Sequence, residues 1–471
     1  MEAMFDGLTA TTGVLLVVAL LIAFAFEFVN GFHDTANAVA TVIYTRSLRP
    51  WTAVILSGAC NFLGVFVGGI AVALSVMHLL PLELLVASGV GVGLAMILSL
   101  LLAATLWNLG TWYLGLPSSS SHTLIGAILG VGLANSTLPG HEFGAGVHWD
   151  KVTEVGAALL LSPLVGFTLA GALLLASKRL IRDPQLYRPP VGSRPPPPWI
   201  RALLIFTCTG VSFAHGSNDG QKGVGLVMLI LMGVVPAGFA INLALSEPEM
   251  REASQAVVTI HEALGAATEA TPEVRAALAE VTDELESLRV TLESARRPEE
   301  VPPELRFAVR RDVLMVDSTL KELERSGALA LPKAQAREVE AARADLRALT
   351  DYAPSWVLFC VALSLGVGTM VGWRRIVVTV GEKIGKEHLT YAQGASAELV
   401  AMSTIGLSAG LGLPVSTTHV LSSGIAGTMV AQRAGLQAQT VLKIASAWVL
   451  TLPASMLLAG ALFLVFRAML C

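Results

Sequence analysis

Cysteine is scarce and scattered in this chain. Cys60, Cys208, Cys360 and Cys471 are the only four in 471 residues. No two form a C-x-x-C pair and three lie in apolar runs, which excludes a disulfide framework and a zinc site. Charge is scarce as well. Only 14% of residues are Asp, Glu, Lys or Arg, they gather in loops, and no basic tract offers a surface to nucleic acid. The G-x-S-x-G string Gly406-Leu407-Ser408-Ala409-Gly410 lies within an apolar run and not at the strand-to-helix turn that a nucleophile elbow needs. His122 and His419 directly follow Ser121 and Thr418, and neighbours at i and i+1 do not face each other on a helix. A hydrolase reading therefore fails, and no catalytic residue is expected. The two histidines suit proton carriage, their ordinary pKa being about 6.5, or a hydrogen bond at a helix end. The N-terminal MEAMFDGLTATTG has neither a basic region nor a small-residue cleavage pattern, so the first apolar run reads as a retained span.

Apolar sequence is what the chain has in abundance. At 54% hydrophobic residues and 44 glycines, with a mean hydropathy of +0.67, it reads as an all-α polytopic membrane protein. Many segments approach the ~20 apolar residues that cross a bilayer as a helix, and the glycines suit close helix packing.

Two polar stretches interrupt this background, Gly31-Phe32-His33-Asp34-Thr35-Ala36-Asn37 and Gly216-Ser217-Asn218-Asp219-Gly220-Gln221-Lys222. An ionised carboxylate at the bilayer centre costs about 2.5–3.5 kcal/mol on insertion scales, so Asp34 and Asp219 are functional candidates by default. The bland alternative is a surface loop or helix cap. Glu27, Asn61, Asn108 and Glu398 also lie in apolar runs and suit interhelical hydrogen bonds.

The chain divides into a first membrane repeat (1–177), a basic, proline-rich connector (178–201) read as extended, the start of a second repeat (202–245), an insert (246–350), and the rest of the second repeat (351–471). Spans are expected at about 12–45, 51–76, 84–112, 153–177, 354–373, 391–411 and 440–467. The insert is rich in Glu, Arg and Ala with helix-period apolar positions, which predicts a soluble helical hairpin turning near Pro302-Pro303. A proline followed by hydroxyl residues inside membrane-length sequence predicts a broken or re-entrant helix at 114–123 and again at 411–419.

Those two segments are copies. Aligned without gaps, LGLPSSSSHTLIGAILG (114–130) and LGLPVSTTHVLSSGIAG (411–427) share nine of 17 residues, among them Pro117/Pro414, Ser119/Ser416 and His122/His419. Such duplication is a strong signal. Gly31 to Pro117 spans 86 residues and Gly216 to Pro414 spans 198; the 105-residue insert accounts for nearly all of the difference. Arg46 and Arg49, the connector, and Arg374-Arg375 with Lys383 and Lys386 are placed in the cytoplasm by the positive-inside rule. A single crossing by 12–45 then makes the halves inverted and puts the insert outside. The Pro-Ser segments must either cross or form hairpins to keep this parity.

Inverted repeats with interrupted helices are the architecture of secondary transporters. Helix N-termini attract anions, and Ser119, Ser120, Ser121, Ser416, Thr417 and Thr418 add hydroxyl donors suited to a tetrahedral oxyanion. Asp34, Asn37, Asn218 and Asp219 offer hard oxygens to a small cation or a proton.

At these residues the sequence resembles the inorganic phosphate transporter (PiT) family, especially its bacterial low-affinity, proton-coupled branch. The resemblance rests on five blocks in order, GFHDTANAVATVIYTR, NLGTWYLGLPSSSSHTLIGA, HGSNDGQKGVGLVML, GWRRIVVTVGEKIGK and LPVSTTHVLSSGIAGTMV. It implies phosphate import by symport with protons, the substrate being a complex of phosphate with a divalent metal such as Mg. It also implies a multi-pass protein in the lipid bilayer of the bacterial inner membrane, a homodimer, and no tightly bound cofactor. Carried over by motif, the phosphate set is Ser119, Ser120, Ser121, Thr123, Ser416, Thr417, Thr418, Asn37 and Gln221. The cation and proton set is Asp34, Asp219, Asn218, Lys222 and His33, with Asp34 and Asp219 also facing the metal. Sodium-coupled members carry a Gly-Ala-Asn-Asp core and a later Asn in both copies. Here His33 precedes Asp34 and Lys222 follows Asp219, and the lysine is expected to replace one cation and to argue against sodium coupling. The alternatives are a sodium-coupled phosphate carrier, a related oxyanion carrier for sulfate or arsenate, and a membrane-anchored sensor signalling through the insert.

Overall fold

The structure, a computed structural model, describes residues 9–77, 90–139, 143–144, 147, 149–192, 194–265, 272–329, 331–413 and 415–470. Its elements are helical: α1 (Ala10–Tyr44), α2 (Pro50–Val67), α3 (Ala71–Met77), α4 (Val90–Tyr113), α5 (Ser120–Ser136), α6 (Trp149–Leu180), α7 (Pro198–His215), a π-helical turn (Gly216–Gly220) and α8 (Gln221–Val234). They continue as α9 (Glu247–Gly265), α10 (Pro272–Glu293), α11 (Arg306–Arg325), α12 (Lys333–Arg347), α13 (Ser355–Met370), α14 (Arg374–Glu382), α15 (Tyr391–Gly410), α16 (Thr417–Gln432) and α17 (Ala438–Leu470). Two compact units emerge. One is Val14–Ile230 with Pro354–Cys471, and the other includes Leu231–Ala353.

Ala10–Tyr44, Pro50–Val67, Gly91–Tyr113, Leu160–Leu180 and Ala438–Leu470 are long and apolar enough to cross a membrane. Ser355–Met370 and Arg374–Glu382, bent by 64°, form one further candidate. The first polar stretch does not break its helix. α1 runs through it without interruption and every residue from Val29 to Val42 is buried, so the loop or cap alternative is wrong for this copy. A continuous helix satisfies every backbone group internally, which apolar surroundings demand. The second copy does break the regular pattern, as the π turn Gly216–Gly220, a feature common at functional sites. The expected span 51–76 is two helices separated at 68–70, and the first part of 84–112 lies outside the described residues.

α5 and α16, of 17 and 16 residues, are about 25 Å long at the helical rise, shorter than the ~30 Å hydrocarbon core. Both start at the hydroxyl runs and are buried along nearly their whole length. The packing exchanges the halves: α17 covers α4 and α5, while α6 lies against α15 and α16. The glycine opening each polar stretch takes part in a similar exchange. A Cβ on Gly31 would meet Thr369 N of α13 at 2.9 Å, and one on Gly216 would meet Asn61 Cα of α2 at 2.9 Å. Only glycine allows backbones so near. The connector is less extended than expected: α6 continues to Leu180, and Ala392 N donates to Leu186 O at 2.8 Å.

In the second unit the expected hairpin is instead, among the described residues, the four long helices α9 to α12, with α9 against α10 and α12, and α10 against α11. Their shared core includes Val257, Ile260, Val281, Leu285, Val313, Val316, Leu320 and Leu346. Each amphipathic helix needs more than one neighbour to cover its apolar stripe. Arg310 is buried among them, donating from Nη1 to Thr350 O at 2.8 Å and Ala240 O at 3.3 Å. Burial pushes its pKa down to about 10.

Candidate functional site

The two polar stretches and the two hydroxyl runs meet in one buried network. On α1, three residues bring Asn37 one turn beyond Asp34, and Asn37 Nδ2 donates to Asp34 Oδ1 at 2.9 Å and to Thr418 Oγ1 at 3.0 Å. Thr418, in the first turn of α16, donates its own hydroxyl to Asp34 Oδ1. Past the π turn, Lys222 Nζ donates to Asp219 Oδ1 at 2.6 Å, Ser121 Oγ at 2.5 Å and Val415 O at 3.2 Å. Ser121 passes its hydroxyl hydrogen to Val415 O at 3.0 Å.

Ser120 joins the halves. Its Oγ lies 3.1 Å from Asp34 Oδ2 and 3.4 Å from Asp219 Oδ2, and its one hydrogen can serve only one of them at a time. The same two oxygens face His215 Nε2, at 3.6 and 3.4 Å. His215 is a candidate site residue that the two polar stretches and the expected set do not include. The signal available was its spacing four residues before Asp219, one helical turn on the same face. Asn61 Nδ2 donates to Thr369 Oγ1 at 2.8 Å, and Asn61 Oδ1 lies 3.1 Å from His215 Nδ1. Nδ1 therefore donates to Asn61, and Nε2 is left to the carboxylates. One ligand atom each of Asp34, His215 and Asp219 lie within 4.8 Å of one another, and two carboxylate oxygens with an imidazole nitrogen form a donor set that fits a divalent cation.

Other residues of the expected set stand beside this network. Ser119 and Ser416 are N-caps, each accepting from the backbone N–H three residues on, at 3.2 Å. Thr123 Oγ1 lies 3.0 Å from Asn108 Oδ1 and 2.9 Å from Ser119 O, and its one hydrogen braces the start of α5 through one or the other. Thr417 is buried at the first position of α16. His33 Nε2 faces Thr111 and Ser118 at 3.2 and 3.3 Å, with Nδ1 3.8 Å from Asp34 Oδ1. Asn218 donates to Leu413 O at 3.0 Å. Gln221 turns away from the carboxylates: it donates to Gly68 O at 2.6 Å and accepts from Val72 N at 2.7 Å, closing the break between α2 and α3. His122 and His419 stack with ring centroids 4.5 Å apart. Glu398 accepts from Thr41 of α1 and Thr207 of α7, and Pro414 lies outside the described residues.

Chemically, this is a pair of buried carboxylates at the meeting point of two helix N-termini. The first N–H groups of α5 and α16 have no acceptor within their own helices, and together with the end dipoles they favour an anion. The carboxylates favour a cation beside it.

Comparison with known proteins places this architecture. A model of a phosphate transporter family matches residues 30–459. Two proteins of Escherichia coli K12, the low-affinity inorganic phosphate transporters PitB and PitA, are 42% and 43% identical to this chain, with 98% of each chain covered. A probable low-affinity inorganic phosphate transporter of Bacillus subtilis is 28% identical, covering 94% of this chain and 95% of its own. A solved structure described as a sodium-dependent phosphate transporter shares the fold at a TM-score of 0.55 and 19% identity, over 97% of this chain and 99% of that one.

Proposed function

Because this chain belongs to the phosphate transporter family, we propose that it is a secondary active symporter importing inorganic phosphate, carried as a divalent metal complex and driven by protons across the bacterial inner membrane. One observation carries the coupling. The hydroxyls that would bind the anion are engaged by the carboxylates that would bind the cation: Thr418 donates to Asp34, and Ser120 faces both Asp34 and Asp219.

An anion entering this network meets two carboxylates and finds its donors occupied. When a proton or cation takes the carboxylate oxygens, the hydroxyls of Ser120 and Thr418 turn to the anion and the like-charge repulsion falls. Neutralising the anion with its cation also lowers the cost of carrying both through a low-dielectric path. Each partner therefore raises the affinity for the other, the reciprocity that symport requires. Asp34, His215 and Asp219 would hold the metal of the complex, and the N-termini of α5 and α16 its phosphate. The exchanged packing of the halves supports an inverted-repeat mechanism, with the site at the repeat interface.

The test is phosphate uptake by proteoliposomes with proton, sodium and magnesium gradients imposed one at a time. Uptake that follows the proton gradient and requires the divalent metal supports the proposal. Uptake driven by sodium and indifferent to the proton gradient contradicts it, and sulfate transported as readily as phosphate would indicate a broader oxyanion carrier.

A further inference from the structure

The two carboxylates sit in sites that correspond position by position, and the sites differ in one group. In the duplicated sequence Asp34 matches Asp219, Asn37 matches Lys222, and Thr418 matches Ser121. The structure reproduces the match in contacts. Asn37 Nδ2 bridges Asp34 Oδ1 and Thr418 Oγ1, at 2.9 and 3.0 Å. Lys222 Nζ bridges Asp219 Oδ1 and Ser121 Oγ, at 2.6 and 2.5 Å.

The ammonium goes further than the amide. Lysine has three N–H donors and no acceptor, and all three find an oxygen here: a carboxylate, a hydroxyl and the Val415 carbonyl at 3.2 Å. Lys222 is 2% exposed. Carboxylate, hydroxyl and carbonyl oxygens converging on one point are also what a small hard cation seeks. At the Asn37 site the same point holds a neutral amide, and the buried Asn37 Oδ1 has no hydrogen-bond partner among the described residues.

We infer that Lys222 is a tethered cation that permanently fills the second of two equivalent cation sites, leaving only the Asp34–Asn37–Thr418 site to exchange a coupling cation in each cycle. This rests on the symport reading. The tethered charge stays with the protein, so the chain moves one coupling cation fewer per phosphate than a chain in which both sites exchange, and sodium has no second site to occupy. Lys222 thus sets the coupling ion through Asp219 and Ser121.

The experiment opens the filled site. Lys222→Asn recreates the amide of the first site, and Lys222→Met removes the charge without offering an oxygen. Purified wild type and both variants are compared for sodium binding at equilibrium in detergent and for phosphate uptake at fixed pH with and without sodium. Lys222→Asn is expected to gain one saturable sodium site per chain. Its uptake without sodium should fall at least about 100-fold, the lower end of the effect of removing one member of a buried ion pair, and sodium should restore it. Lys222→Met should lose uptake in both media, and wild type should respond to sodium in neither assay. The inference is overturned if Lys222→Asn binds no additional sodium, if Lys222→Met keeps wild-type uptake, or if wild type is itself activated by sodium. That last arm needs no variant to fold. A wild type that takes up no phosphate under any gradient would sink the symport reading, while sodium binding would still read the filled site.

Discussion

Replacing His215 by glutamine keeps much of the side-chain volume but removes the ring that faces both carboxylates. One oxygen each of Asp34 and Asp219, and the imidazole nitrogen, lie within 4.8 Å of one another; two unit negative charges at that separation repel by about 3.5 kcal/mol at an effective dielectric of about 20. Lys222 holds the other oxygen of Asp219, Oδ1, so the Oδ2 pair depends on His215 and Ser120. His215→Gln should therefore destabilise the chain by about 3 kcal/mol. Neutralising one carboxylate should remove most of that penalty. A double-mutant cycle of His215→Gln and Asp219→Asn, read from the unfolding free energies of purified protein, is expected to give a coupling of about 3 kcal/mol. Effects that add to within about 0.5 kcal/mol, the usual behaviour of independent sites, would refute the placement of His215 between the carboxylates.

Further expectations concern α16 and the glycine crossing. Thr418→Val keeps the shape and deletes the hydroxyl that donates to Asp34 and accepts from Asn37. A hydrogen bond to a charged group is worth about 1.5–3 kcal/mol, so phosphate uptake should fall at least about tenfold while Thr418→Ser retains it; equal losses in both would point to packing. Gly31→Val places a Cβ 2.9 Å from Thr369 N and should lower stability by about 1–3 kcal/mol through overpacking. Gly13→Val, whose added Cβ meets nothing within 4 Å beyond its chain neighbours and the backbone of its own helix, is the control and should leave thermal stability unchanged.

Much of this site was legible because duplication preserves spacing. Asp34 with Asn37, and Asp219 with Lys222, are i and i+3 pairs, so their meeting on one helix face follows from the helical repeat. The convergence of Ser120 and Thr418 on those carboxylates, and of Ser121 on Lys222, depends on how α5 and α16 are placed beside α1 and the π turn, which no local pattern encodes. Ser119 and Ser416 looked like ligand hydroxyls although their position before a helix start is that of an N-cap. Their oxygens are used there. His215 precedes the second polar stretch, and only its i, i+4 spacing to Asp219 marks it in the sequence, since the π turn between them leaves no compositional mark. Gln221 lies inside the stretch yet faces the break at Gly68, since adjacent helical residues point in different directions. In the insert the helix period was visible, but two helices and four share that period. Only the packing of α9 against both α10 and α12 distinguishes them.

Asp34 accepts from Asn37 and Thr418 and shares the Ser120 hydroxyl with Asp219. Asp34→Asn is nearly isosteric and removes the charge that a coupling cation would neutralise. Uptake of radiolabelled phosphate by proteoliposomes under an imposed proton gradient, compared between wild type and Asp34→Asn at matched protein incorporation, reads this directly. Proton-driven accumulation in the wild type and none in the variant is the predicted result; accumulation by Asp34→Asn at the wild-type rate would contradict it.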